Sequence, residues 1–313
     1  MRPDPPGVTG ASMQIGIDLG GTKIEGIALA NARLVVPGRR VVTPRDYEGT
    51  LDAIARMVAR IEAEAGCSGT VGVGIPGVVG RANGLVKNAN SVWLNRRPLL
   101  ADLEATLARP VRVANDANCF ALSEAVDGAG QGHETVFGVI LGTGVGGGIA
   151  IRRRIHEGPN QIAGEWGHNP LPWMTDQEYH AAPECYCGKR GCVETFLSGP
   201  AFERDYARVT GVSRAGQDIV RAAADGETHA VRTLERYQDR LARALAAVID
   251  VLDPDAVVLG GGMSNLPGLA PAVAAALPAY VFSDTIVTRV VRHTHGDSSG
   301  VRGAAWLWNS DPG

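Results

Sequence analysis

The feature that most constrains this chain is a strand–glycine turn–strand unit that occurs twice. Ile17-Asp-Leu-Gly-Gly-Thr-Lys-Ile-Glu-Gly-Ile-Ala-Leu29 can be laid on Val139-Ile-Leu-Gly-Thr-Gly-Val-Gly-Gly-Gly-Ile-Ala-Ile151 without a gap. Leu19/Leu141, Gly20/Gly142, Gly26/Gly148, Ile27/Ile149 and Ala28/Ala150 are identical pairs. In each copy two apolar, β-rich stretches flank a turn of Gly and Thr, the pattern of a β-hairpin. One such unit at the head of each half predicts two related lobes. Helical spacing over residues 50–65 places Leu51, Ile54, Met57, Val58 and Ile61 on one face. Short strands are expected at 71–75 and 111–114, and a long amphipathic helix over Val231–Leu252 precedes the strand Ala256–Leu259. Strands alternate with helices, so the fold class is α/β.

Composition narrows the function classes. Lys+Arg 30 against Asp+Glu 33 leaves a net charge of −3, which argues against a broad cationic face for nucleic acid. With 45% hydrophobic residues the chain has material for a sizeable core, yet no run approaches the ~18 apolar residues of a membrane span. Residues 1–12 are rich in Pro and Gly and lack the apolar run of a signal peptide, so they read as a disordered extension. The cytoplasm is then the default compartment and the five cysteines are expected to be reduced. Cys67 and Cys119 stand alone in apolar stretches and are expected to be buried, inert thiols.

Turns of Gly and Thr expose backbone N–H groups and hydroxyls with no Cβ in the way, which is what close approach to a polyphosphate requires. Gly20, Gly21, Thr22 and Lys23 in the first unit, Gly142, Thr143 and Gly144 in the second, and Gly260-Gly261-Gly262 after the later strand are therefore candidate ATP-binding residues. Asp18 has no acidic counterpart at Ile140, and a lone carboxylate beside a phosphate turn is a candidate magnesium ligand. Gly142-Thr-Gly-Val-Gly-Gly147 formally matches the dinucleotide fingerprint, but that fingerprint opens a helix, whereas here the pattern continues as strand. No Gly-x4-Gly-Lys-Ser/Thr P-loop occurs.

Cys185-x-Cys187-x4-Cys192 supplies three thiolates in a run rich in turn formers, suited to a closed tetrahedral zinc site with one histidine. Spacing alone leaves both His168 and His180 open as the fourth ligand. Asn115-Asp116 follows a strand and opens a helix, where ligand sites of α/β folds collect. A carboxylate there can accept the proton of an attacking hydroxyl, or simply cap the helix. Glu165, His168 and Glu194 bracket the cysteines; carboxylates with an imidazole match an uncharged polyhydroxylated ligand.

Asp18-Leu-Gly-Gly-Thr-Lys23, Gly74-Ile-Pro-Gly77, Asn115-Asp-Ala-Asn118, Leu141-Gly-Thr-Gly144, Glu165-Trp-Gly-His168, Cys185-Tyr-Cys-Gly-Lys-Arg-Gly-Cys192 and Gly260-Gly-Gly262 resemble the motifs of the ROK family of bacterial sugar kinases and repressors. The likeness runs from Met13 onward, and no winged-helix segment precedes Met13, so the kinase branch is expected. Within the family, Lys87–Asn95, Gly164–Trp173 and His295–Trp306 look most like bacterial fructokinases (mannofructokinases), with N-acetylglucosamine kinases further away.

The resemblance implies an actin-like two-lobed ATPase fold with a small zinc knuckle. Residues 13–124 with 295–313 would form the smaller lobe, and 125–294 the larger lobe with the knuckle and most of the ATP site. It implies Asp116 as catalytic base and Asn90, Asn115, Asp116, Glu165, His168 and Glu194 as sugar-binding residues. It favours His168, with Cys185, Cys187 and Cys192, as the zinc ligands, the other ring nitrogen of His168 facing the sugar. The expected activity is Mg·ATP-dependent phosphorylation of a hexose at O6, fructose first, with N-acetylglucosamine, mannose or glucose as alternatives, by a homodimer. A sensor that binds sugar without transferring phosphate is the reading from another class.

Overall fold

The computed structural model describes residues 13–309; the extension expected at 1–12 lies outside the described residues. The chain divides into two compact units, one ending at Ser123 and resuming at Ser298, the other running Glu124–Asp297.

In the first unit β1 (Gln14–Leu19), β2 (Lys23–Ala30), β3 (Arg33–Val42), β4 (Thr70–Ile75) and β7 (Val111–Asn115) form a sheet of order β3-β2-β1-β4-β7. β1 pairs antiparallel with β2 and parallel with β4, and β7 runs parallel to β4. The two-residue strands β5 (Val78–Val79) and β6 (Val86–Lys87) pair beside it. Helix α1 (Tyr47–Ala65) is capped by Asp46, which accepts from the Gly49 N–H, and ends at Gly66 in the left-handed region, φ 72°. Its predicted face is buried: Leu51, Ile54, Met57, Val58 and Ile61 pack with Ile15, Ile17, Val71 and Val73 in one core. Beyond the short α2 (Leu99–Leu107) and the start of α3 (Asp116–Asp127), the C-terminal α10 (Ser299–Trp306) closes the opposite face of the sheet. That approach is possible only because strand and helix both present glycine. A Cβ on Gly16 would lie 2.0 Å from the Val301 oxygen, one on Gly72 1.9 Å from the Ala304 oxygen, and one on Gly303 1.7 Å from the Cys119 oxygen.

The second unit repeats the plan. β8 (Thr135–Leu141), β9 (Val145–Ile151), β10 (Arg154–Ile155), β11 (Ala256–Gly260) and β12 (Arg289–Arg292) are ordered β10-β9-β8-β11-β12, with β8 antiparallel to β9 and parallel to β11. Its core joins Phe137, Val139, Val257 and Leu259 of the sheet to Leu241, Leu245 and Ile249 of the long α8 (Thr228–Leu252). Helices α4 (Asp176–His180), α5 (Glu194–Leu197), α6 (Gly199–Thr210), α7 (Gly216–Ala224) and α9 (Leu269–Ala276) complete it.

Both predicted hairpins are present, with one correction. Leu19 pairs with Ile24 across residues 20–23, whereas Leu141 pairs with Val145 across 142–144. The second turn is one residue tighter, so the gapless alignment slips by one position on the return strand, and Gly26 and Gly148 are not equivalent in register. A second correction concerns Cys67, which is exposed in the turn that follows the Gly66 cap, not buried; Cys119 is buried. Among the described residues no helix is long and apolar enough to cross a membrane.

Candidate active site

In the first unit a recess of about 500 Å³ is lined by Gly20, Gly21, Arg45, Pro76, Asn90, Ser91, Trp93 and Asp116. Four chain segments build it. The Gly20–Lys23 turn is closed by Gly20 N–H donating to the Lys23 oxygen (3.0 Å) and pinned by Thr43, whose hydroxyl donates to the Gly20 oxygen at 2.7 Å. Gly21 and Thr22 are exposed on this turn, while the Lys23 ammonium lies 3.4 Å from the buried Glu25 carboxylate. Asn90 is exposed on a loop held by Asn95, whose amide both accepts from the Ala89 N–H and donates to the Ala89 oxygen, each at 2.9 Å. Trp93 is fixed by its indole N–H donating to Thr50 Oγ1 at 3.2 Å.

At the end of β7 the division of labour between Asn115 and Asp116 is visible. Asn115 Oδ1 accepts from the N–H groups of Ala117 (2.9 Å) and Asn118 (3.3 Å), and its Nδ2 donates to the Gly77 oxygen (3.4 Å). Asn115 is therefore the helix cap, a role that had been open to Asp116. Asp116 is the first residue of α3, with Oδ1 accepting from the Ala117 N–H at 2.8 Å, and its side chain reaches the recess. Asp18 lies behind it. Burial, the neighbouring charge of Asp116 and then that of Glu25 push the Asp18 carboxyl up to about 7, with Lys23 opposing. Two crowded carboxylates beside a phosphate turn are a donor set that a divalent cation would relieve, so Asp18 fits magnesium.

In the second unit the predicted phosphate residues converge. The 142–144 turn is closed by Gly142 N–H donating to the Gly144 oxygen (2.9 Å), and Gly199, at the start of α6, donates to the Gly142 oxygen (2.7 Å). Gly261, φ 79°, sits on the end of β8, where a Cβ would meet the Leu141 oxygen at 2.4 Å. Gly142 and Gly262 face open space and Thr143 is exposed, so backbone and hydroxyl are accessible here.

Glu165, His168 and Glu194 lie on segments packed against the same hairpin. Residues 164–168 lie flat against β9: a Cβ on Gly164 would come 2.5 Å from the Gly147 oxygen, one on Gly167 2.1 Å from the Val145 oxygen, and the Trp166 indole donates to the Gly146 oxygen at 2.9 Å. Glu194 Oε2 accepts from the Val145 N–H (2.9 Å), a contact that needs a glycine at 144, since a Cβ there would sit 2.6 Å from that oxygen. Glu165 is exposed on the turn.

His168, Cys185, Cys187 and Cys192 bring their ligand atoms within 4.8 Å of one another. His168 Nδ1 is 3.6 Å from Cys185 Sγ, Cys187 Sγ is 3.6 Å from Cys192 Sγ, and all five cysteines are free thiols. One imidazole and three thiols at this spacing fit a structural zinc ion. His180, on α4, is outside the group. The bridge between Pro170 and Cys192 ties the segment after His168 to the knuckle. Arg243 donates to the oxygens of Pro172 (3.0 Å) and Trp173 (2.9 Å) and, with Arg240, grips Glu178 of α4. Burial raises the Glu178 carboxyl, but hydrogen bonds from Arg243 and Arg240 outweigh it and bring it to about 2.

His168 Nε2, the ring nitrogen turned away from Cys185, lies 3.0 Å from the exposed Tyr186 hydroxyl. Sequence reasoning gave no role to Tyr186, Arg45 or Trp93. Trp93 falls in a stretch already singled out, Lys87–Asn95, and Tyr186 lies inside the cysteine run, whereas Arg45 carries no local signal and only folding brings it to the recess.

The sequence matches the ROK family over residues 14–311. It is 42% identical over 299 residues to the N-acetyl-D-glucosamine kinase of Vibrio parahaemolyticus, covering 94% of this chain and 99% of that one. It is 41% identical over 304 residues to the enzyme of that name from Escherichia coli, covering 96% and 100%. Among solved structures, a ROK hexokinase from Thermus thermophilus superposes with a TM-score of 0.84 at 32% identity, covering 94% and 97%. A ROK glucokinase from Streptomyces griseus, in complex with glucose and AMPPNP, gives 0.76 at 30% identity, covering 94% and 98%. These relatives favour the N-acetylglucosamine alternative over the expected leaning toward fructokinases. The stretches that suggested it also carry scaffold contacts, such as Gly164 and Gly167 on β9 and Gly303 against α3. From the two hairpins through the knuckle to the C-terminal helix, this chain has the actin-like two-lobed α/β fold and belongs to the ROK family.

Proposed function

We propose that this protein transfers the γ-phosphoryl group of ATP to the 6-hydroxyl of N-acetyl-D-glucosamine. The observation that carries phosphoryl transfer is the recess of the first unit, where Asp116, the Gly20-Gly21 turn and Asn90 line one cavity. The amino sugar is supported by full-length similarity to N-acetyl-D-glucosamine kinases at about two residues in five.

In this reading Asp116 accepts the proton of the sugar hydroxyl as that oxygen attacks phosphorus. Asn115 holds Asp116 in place by capping α3. Asn90, Glu165, His168 and Glu194 engage the sugar, whose hydroxyls donate to the carboxylates and accept from the amide. Backbone N–H groups of the Gly20–Lys23, Gly142–Gly144 and Gly260–Gly262 turns, apart from those of Gly20 and Gly142 that close their own turns, cradle the phosphates, and Asp18 would hold the accompanying magnesium ion. That ion, when bound with ATP, neutralises charge accumulating on the phosphate oxygens. His168, Cys185, Cys187 and Cys192 would hold zinc, which supplies folding energy to the knuckle and so fixes Glu194 two residues after Cys192.

A coupled assay of ATP consumption across N-acetylglucosamine, glucose, mannose and fructose tests the reading. Highest kcat/KM on N-acetylglucosamine is the expected result. Preference for fructose would overturn the sugar assignment, and sugar binding without ATP turnover would make the protein a sensor.

A further inference from the structure

Arg45 contributes nothing visible to the fold. It is exposed, and its guanidinium makes no hydrogen bond or ion pair with any other described residue. The backbone on either side of it is nevertheless fixed. Thr43 donates its N–H to the Thr22 oxygen at 3.1 Å and its hydroxyl to the Gly20 oxygen at 2.7 Å, which stitches this segment to the glycine turn. Pro44 restricts the chain next, and Asp46 caps α1. Held between these points, Arg45 lines the same recess as Gly20, Gly21, Asn90 and Asp116. For stability the position is a poor one: a cation beside a helix N-terminus faces the positive end of the dipole, and α1 runs for 19 residues. Folding therefore makes no use of this charge, whereas an anion in the recess would.

Among the residues that line the recess Asp116 is the acid and Arg45 the cation. Lys23, at the end of the turn, lies 3.4 Å from the buried Glu25 carboxylate and is not part of the lining. Sugar hydroxyls both donate and accept, and Asn90 and Asp116 can serve them. A guanidinium has five donors and no acceptor, in a fork that matches two oxygens of one phosphoryl group. We propose that Arg45 is a catalytic residue: its guanidinium donates to the non-bridging oxygens of the γ-phosphoryl group as that group passes from ATP to the sugar. This rests on the reading of the chain as an ATP-dependent sugar kinase. The sugar oxygen forms its bond to phosphorus while the bond from phosphorus to the bridging oxygen of ADP breaks. The hydroxyl proton goes to Asp116, and ADP leaves with the electron pair of the broken bond. Negative charge stays on the phosphoryl oxygens throughout, and a guanidinium set beside them beforehand meets it without reorganisation.

The test compares the unaltered protein with Arg45→Ala and Arg45→Lys, using whichever hexose the unaltered protein phosphorylates fastest. Steady-state kinetics give kcat, calorimetry without nucleotide gives the sugar Kd, and circular dichroism gives Tm. Arg45→Ala should lower kcat by roughly 10²–10³-fold, the effect of removing one preorganised donor to transition-state charge. Its sugar Kd should be unchanged, and its Tm unchanged or slightly higher, since the lost cation opposed the α1 dipole. Arg45→Lys keeps the charge but loses the fork, and its kcat should fall between the other two. An unaltered kcat in Arg45→Ala overturns the assignment. So does a loss of sugar affinity as large as the loss of kcat, which would make Arg45 a sugar ligand, or a lowered Tm, which would make it a structural residue. Failure of the unaltered protein to phosphorylate any hexose refutes instead the kinase reading.

Discussion

Asp18→Asn separates the catalytic use of this carboxyl from its effect on folding. In the folded protein burial, then Asp116 and Glu25, raise its pKa from the ordinary 3.8 to about 7. An acid whose pKa is raised by folding binds its proton more tightly in the native state. Stability is therefore fully present below about pH 4 and is lost as pH rises toward 7. Each pH unit is worth roughly 1.4 kcal/mol, so the gap between 3.8 and about 7 amounts to roughly 4 kcal/mol, an upper figure because the site can relax. Asparagine has the shape of the neutral carboxyl and never ionises. The variant should match the parent at pH 4 and become the more stable protein by pH 8, its Tm rising by roughly 2–4 °C per kcal/mol. Thermal unfolding of both proteins, nucleotide-free, followed by circular dichroism from pH 4 to 8 measures this. Addition of magnesium and a non-hydrolysable ATP analogue at pH 8 should then stabilise the parent more than the variant, because only the parent has the charge that the cation meets. A difference in Tm that is flat with pH would refute the crowded-carboxylate account. Equal stabilisation of both proteins by magnesium nucleotide would remove Asp18 from the metal site.

Asp116→Asn should lower kcat by ~10²–10⁴-fold with sugar binding nearly intact, as expected for a lost general base, read from steady-state and calorimetric data together. Cys187→Ser, or removal of zinc by a chelator, should lower Tm and weaken sugar binding in parallel, since Glu165, His168 and Glu194 surround the knuckle. Gly144→Ala would place a Cβ 2.6 Å from Glu194 Oε2 and push that carboxylate off the Val145 N–H; the expected signature is a raised KM for sugar with a smaller change in Tm. Gly303→Ala drives a Cβ to within 1.7 Å of the Cys119 oxygen, and should destabilise the protein by about 3 kcal/mol or more, seen as a lower Tm or loss of soluble expression.

What sequence determined and what required folding divide along the range of the interaction involved. The hairpins, the cap at Asn115-Asp116, the buried face of α1 and the cysteine knuckle were all legible, because glycine turns, N-caps, helical periodicity and metal-ligand spacing are encoded within a dozen residues. The tighter second turn was not legible, since identical residues can be aligned at either register until strand pairing decides. Nor could spacing separate His168 from His180. That choice comes from Gly164 and Gly167 laying residues 164–168 against β9, with Arg243 holding the segment that follows. Arg45 and Trp93 reach the recess only through the packing of segments distant in the chain, and the cluster of Asp18 with Asp116 joins residues almost a hundred positions apart. Sequence thus named the chemical groups; packing fixed which of them face one another, because the local chain has no record of what will be brought opposite it.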